Sequence, residues 1–237
     1  MSSLSLVAAR PVLPALRLSD GALEALKWLA LTMMVLDHVN KYLWHDAEHV
    51  AFDLGRLAMP IFAVVLGFNL ARGVPGAYRR VAVRLALAGS LASIPFIALG
   101  GLGWGWWPAN IMATLLVATV MCGAFASGRL LYVVLASVLF VVAGSSVEFW
   151  WPGIALSVAT WSYARTPSWP ALIVGLAALF ALRSVNGNDW ALLAIPVLVA
   201  ATFWRWPLPR IRYFFYAFYP LHLAALWLLQ RQLGTPG

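Results

Sequence analysis

Apolar residues come in blocks about as long as a bilayer is thick, with polar and helix-breaking residues gathered between them. The blocks fall at about 22–44, 54–71, 81–102, 109–126, 130–144, 149–164, 170–185, 190–204 and 213–230. A helix needs ~20 predominantly apolar residues to cross hydrocarbon, so the pattern predicts about nine transmembrane helices. The fifth to eighth blocks are short, as spans shielded by other helices can be. The joints "RGVPGAYRR", "GGLGWGWWP", "SGR", "RTPSWP", "NGND" and "PLPR" carry the Gly, Pro and Asn that punctuate helices. No internal repeat, low-complexity tract or long linker divides the chain. One domain is expected over 22–230, between short tails at 1–21 and 231–237. Residues 1–20 have no small-residue cleavage site after a central apolar stretch. They read as a cytoplasmic tail before an uncleaved first span.

Composition turns this pattern into a class. Hydrophobic residues make up 63% of the chain and charged ones 10%, against roughly 25% charged in an ordinary soluble domain. So few charges could not cover a soluble core, and the expected fold is an all-α, polytopic membrane helix bundle. The net charge of +8 is no nucleic-acid footprint, because the basic residues fall between spans. With the N-terminus cytoplasmic, the near side collects Arg10, Arg17, Lys27, Arg72, Arg79, Arg80, Arg84, Arg129, Arg165, Arg205, Arg210 and Arg212. The far side keeps Lys41, Arg56, Arg183 and Arg231, a bias of the kind that sets membrane orientation. Anionic lipid head groups are natural partners of the cationic side. Trp44, Trp104, Trp106, Trp107, Trp150, Trp151 and Trp190 mark far-side ends, and Trp28, Trp204 and Trp206 near-side ends. Such belts form at both interfaces. Cys122 is the single cysteine, which excludes a disulfide framework and a cysteine metal site.

Ionisable residues inside apolar blocks carry the candidate chemistry, because burial in hydrocarbon is costly and points to a bundle interior or a wet cavity. His38 stands about sixteen residues into the first block, roughly 24 Å from the inner face. His222 stands about nine residues into the last, roughly 14 Å from that face. Histidine suits a general base near neutral pH. Asp37 cannot simply orient its neighbour His38, since adjacent residues point to different helix faces. An intrahelical Asp37–Lys41 pair is the plain structural expectation. Asn69, Asn110 and Arg56 are further buried polar candidates, Arg56 either snorkelling to the interface or holding an oxyanion or an acidic group in the cavity. His45-Asp46-Ala47-Glu48-His49 matches one metalloprotease pattern. It lies in a polar connection, however, and a catalytic zinc needs a third ligand in an enclosed pocket. A solvated loop is expected there, and no metal. The arginines of "ARGVPGAYRRVAVR" and "RWPLPRIR" fit either topology alone or phosphate binding.

Four segments, "LKWLALTMMVLDHVNKYL", "LGRLAMPIFAVVLGFNLARG", "PANIMATLLVATVM" and "FFYAFYPLHLAALWLL", resemble those of the TraX family of conjugative-pilin acetylases, with "SVEFWWPGIALSVA" a weaker fifth. More distantly the chain is similar to transmembrane acyltransferases that use cytosolic acyl-CoA. The resemblance implies a multi-pass bacterial inner-membrane acetyltransferase. It would move an acetyl group from acetyl-CoA to an amine or hydroxyl on the periplasmic side, such as the N-terminus of pilin. The positions carried over are Asp37, His38, Gly55, Arg56, Pro60, Asn69, Asn110, Tyr219 and His222. On this reading His38 is the base, and Asn110, Arg56 or His222 supports the oxyanion. Arg72, Arg79, Arg80, Arg84, Arg210 and Arg212 would meet the CoA phosphates. The rival class is a proton-coupled transporter of a small anion, with Asp37, His38 and His222 as its relay. The absence of a repeat weighs against it.

Overall fold

The computed structural model describes residues 13–101, 103–211 and 213–234. Arg10, Arg212, most of the N-terminal tail and the last three residues lie outside them. Regular structure among the described residues is helical: α1 (Asp20–Leu43), α2 (His49–Gly55), α3 (Ala58–Ala71), α4 (Ala77–Ala98), α5 (Ile111–Ala126), α6 (Leu130–Gly144), α7 (Trp150–Arg165), α8 (Trp169–Ala181), α9 (Arg183–Asn186), α10 (Ala194–Thr202) and α11 (Phe214–Leu233). One isolated bridge joins Ala109 and Val147. Helix α2 continues into α3 through one turn, α8 into α9 through Leu182, and a 3-10 turn at Trp190–Leu193 leads into α10. Taken as continuous rods, these units overlie the nine apolar blocks. His49–Ala71, Ala77–Ala98 and Trp169–Asn186 are long and apolar enough to cross a membrane, by length and composition.

Local chemistry starts the helices. The Ser19 hydroxyl accepts the Ala22 N–H at 3.1 Å, and Asp20 in the first turn suits the positive end of the dipole. Asn110 caps α5 by accepting the Met112 N–H at 3.1 Å. Ser168 caps α8, with Pro170 in its first turn.

Helices α3, α5 and α7 pack together at the centre, with α1 against α2, α3 and α11, and α4 against α5 and α11. Gly67 makes the α3–α7 contact possible: a Cβ there would stand 2.8 Å from the Trp161 backbone nitrogen. Met59, Ile61, Ile154 and Leu223 fill the buried interior. The outward faces are apolar instead of charged. Leu130, Leu131, Leu135 and Val142 on α6, Leu91 and Ile94 on α4, and Ile173 on α8 are all exposed. A monomeric soluble protein rarely leaves such continuous apolar faces open.

One depth reading is corrected. Counting from the ends of their blocks placed His38 about 10 Å further from the inner face than His222. The two nevertheless lie at one level, because α11 begins above the start of α1. The connection before α11 lies over the first turns of α1, where the Ser19 hydroxyl donates to the Trp204 carbonyl. Trp28, more than two turns up α1, meets Phe214 in a tilted contact and Phe215 edge-on at the start of α11.

Candidate active site

Two cavities open at opposite ends of the bundle. The larger, about 750 Å³, lies where α1, α4 and α11 begin and α3 ends. Lys27, Asn69, Arg72, Arg80, Arg84 and Arg210 line it, with Tyr213 and Tyr216. Its cations are not equivalent. Lys27 Nζ sits 2.5 Å from Glu24 Oε1, and Arg210 Nε lies 3.9 Å from the same oxygen while its Nη2 donates to Asn69 Oδ1 at 3.4 Å. Arg72 pairs with Asp20, holding that carboxyl below its usual range. Among the described residues Arg80 and Arg84 form no ion pair; Arg84 lies over the Tyr213 ring at 4.8 Å. Five cations face two carboxylates here, a local excess of positive charge.

The smaller cavity, about 180 Å³, is lined by Asp37, His38 and Lys41 of α1, Asp46, Arg56 at the α2–α3 turn, Glu148 and Tyr219. His38 faces α11, where its Nδ1 meets His222 Nε2 at 2.7 Å. His222 Nδ1 lies 3.2 Å from the Phe218 carbonyl oxygen. A carbonyl only accepts, so His222 Nδ1 carries the proton and its Nε2 is an acceptor. His38 Nδ1 therefore donates, and His38 Nε2 is left with a free lone pair. The chain of hydrogen bonds thus fixes one tautomer and leaves one ring nitrogen unbonded.

Asp37, one residue earlier, points a different way. The expected Asp37–Lys41 pair is replaced by a bond from Arg56 Nη2 to Asp37 Oδ1 at 2.6 Å. Arg56 Nε also donates to the Phe52 carbonyl at 3.2 Å, so Arg56 does not snorkel but holds an acidic group of the cavity. Gly55 lets the turn come this close, since a Cβ there would stand 2.4 Å from Asp37 Cβ. Asp37 and Arg56 tie α1 to the α2–α3 turn, while His38 addresses α11. Lys41 instead donates to the Gly101 carbonyl at 3.4 Å.

Other expected residues separate. Asn110 is 2% exposed; its Oδ1 takes the Met112 N–H, and its Nδ2 donates to the Gly89 carbonyl at 3.0 Å and to Ser93 Oγ at 3.1 Å. Both its amide hydrogens are engaged, so it holds α5 against α4 and has no donor left for an oxyanion. His222 likewise spends both ring nitrogens. Arg79 is exposed and does not line the large cavity. Arg212 is outside the described residues. His45, Asp46, Glu48 and His49 are exposed, and no group of three or more His, Cys, Asp or Glu among the described residues is placed to share a metal.

Glu148, an acid expected on the far side but not among the expected catalytic residues, also lines the smaller cavity. The Glu148 N–H donates to the Ala109 carbonyl at 2.8 Å, and the Thr114 hydroxyl donates to the Glu148 carbonyl. Phe149 and Trp150, next in the chain, sit at φ 63° and 47°, a costly conformation for bulky residues that surrounding structure must hold. In this connection between α6 and α7, burial pushes the Glu148 carboxyl up to about 7 against the opposing pull of Lys41 and Arg56. The available clue was an acid set in the apolar run "SSVEFWWPG".

Met34, Ile111 and Tyr219 line both cavities. The cationic site and the free histidine nitrogen are separated by that wall. Residues 22–230 match the family model described as "TraX protein". A "Protein TraX" of Escherichia coli is 35% identical over 101 residues, 42% of this chain and 38% of that one. Another, from Escherichia coli strain K12, is 46% identical over 54 residues, 23% of this chain and 21% of its own length. These matches thus span well under half of the curated relatives. No solved structure matches.

Proposed function

Since the chain belongs to the TraX family, we propose that it is a membrane-embedded acetyltransferase, drawing acetyl-CoA from the cytoplasm and acetylating an amine or hydroxyl, such as a pilin N-terminus, at the outer side of the bacterial inner membrane. The observation that carries this is the pair of cavities: an arginine-lined chamber and a histidine base at opposite ends, meeting at one wall. Nine crossings with a cytoplasmic N-terminus put the cationic chamber inside, in line with the arginine bias of the connections. The exposed apolar faces of α4, α6 and α8 meet lipid.

The large chamber suits the phosphates and pantetheine arm of CoA, with Arg80 and Arg84 as the cations free to pair with phosphate. Its apolar upper part, with Leu66, Leu115 and Met34, guides the thioester toward the wall. On the other side His38 Nε2 takes the acceptor's proton as its nitrogen or oxygen attacks the thioester carbonyl. The carbon–sulfur bond then breaks, and the departing thiolate takes that proton. His222 fixes the imidazole's orientation and tautomer, while Asp37 and Arg56 brace the helix that carries it. Glu148 and Lys41 offer polar contacts to the acceptor.

Purified protein, acetyl-CoA and an amine-bearing acceptor peptide should yield a product heavier by one acetyl group. His38→Ala should still bind CoA but lose at least about 100-fold in turnover. Full activity in His38→Ala would overturn the proposal. Uptake of an anion into proteoliposomes with no covalent product would favour the transporter instead.

A further inference from the structure

We infer that Tyr219 and the backbone N–H of Ile111 form the oxyanion site for the thioester carbonyl, an assignment that rests on the acetyl-transfer reading. Two of the three expected donors are spent, Asn110 on Gly89, Ser93 and Met112 and His222 on His38 and Phe218; Arg56 gives two of its five N–H groups to Asp37 and Phe52, and it lines the smaller cavity without reaching the large chamber. The reacting carbonyl must lie within reach of His38 while still attached to a donor held in the large chamber. It must therefore sit at the wall made by Met34, Ile111 and Tyr219. Of these side chains, only Tyr219 carries a hydrogen-bond donor with a hydroxyl.

Tyr219 is 2% exposed. Among the described residues its hydroxyl donates to no carbonyl or carboxylate. A buried hydroxyl usually finds an acceptor, so a missing acceptor at a cavity wall points to a ligand. Ile111 is the first residue of α5, so its N–H has no partner within the helix, and it approaches the Glu148 carboxyl as well as the Tyr219 oxygen, both on the lining of the smaller cavity. Both donors stand at the wall where negative charge develops. As the acceptor bonds to the carbonyl carbon, its proton passes to His38 Nε2. The carbonyl π pair moves to oxygen, opposite Tyr219 and Ile111. Collapse of that oxyanion restores the carbonyl, breaks the carbon–sulfur bond and sends the proton from His38 to the thiolate.

Two substitutions test this. Tyr219→Phe removes only the hydroxyl. Ile111→Pro removes the N–H at a first helical position, where proline is tolerated, behind an Asn110 whose φ −58° and ψ 168° already suit a following proline. Purified wild type, both variants and His38→Ala are compared for kcat, KM for acetyl-CoA, CoA binding by calorimetry, and the pH profile of kcat. The expected result is a fall in kcat of about 100-fold in each variant, with KM, CoA binding and the pH profile unchanged. Wild-type kcat in Tyr219→Phe beside an inactive His38→Ala would overturn this inference and leave the proposed function standing. Loss of CoA binding together with kcat would overturn it too, by making Tyr219 structural. Full activity in His38→Ala would remove the reading beneath it.

Discussion

Glu148 holds an ionisable carboxyl in surroundings that resist its charge. A carboxyl raised from its ordinary value to about 7 stays protonated in the folded protein up to that pH, whereas the unfolded chain releases its proton near the model-peptide value of ~4.3. The stabilisation from holding that proton is complete below the lower value and is lost as pH rises through about 7. Glutamine has the same shape and never ionises. Glu148→Gln should therefore melt higher than wild type in detergent at about pH 8, with the gap closing toward pH 5. If Glu148 contacts the acceptor as proposed, turnover falls about tenfold in the same variant. A thermal-shift series across pH, paired with an acetylation assay, measures both. A midpoint difference that stays flat with pH would show that the carboxyl is not held protonated.

Helical phase decides which arginines matter, and the sequence contained that information. The large cavity is lined on α4 by Ala77, Arg80, Val81, Arg84 and Leu85, a spacing of three and four that traces one face. Arg79 stands about 100° away on the helix and is exposed. Reading "AYRRVAVR" for phase as well as charge separates these residues; a count of charges does not. Asn110 was open to a similar reading, because Asn just before a long apolar run is a helix-start signal. What no local pattern could show is the meeting of His38 with His222 across 184 positions, or of Arg56 with Asp37 across a turn held open by Gly55. Those depend on packing. Replacing Arg80 or Arg84 with Ala should raise KM for acetyl-CoA about tenfold or more, as loss of a charge-assisted hydrogen bond does. The effect should shrink in high salt. Arg79→Ala should leave KM unchanged, and an equal rise in all three would place the donor outside this cavity.

At the scale of the whole molecule, two chemistries are kept apart in space. Highly charged CoA does not cross a bilayer, and the cations able to receive it lie where α1 and α4 begin. The basic nitrogen and its acceptor cavity lie at the other end, beyond Met34, Ile111 and Tyr219. On the proposed function, a bundle built this way would move an acetyl group across the membrane while the carrier stays on one side. Sidedness is then a property of the fold, and it can be measured without any substitution. In sealed inverted vesicles, acetyl-CoA added outside should acetylate an acceptor trapped in the lumen. In sealed right-side-out vesicles the same addition should do nothing until the membrane is permeabilised. If intact right-side-out vesicles used external acetyl-CoA, the arginine chamber would have to face outward. The orientation drawn from the basic connections would then be reversed.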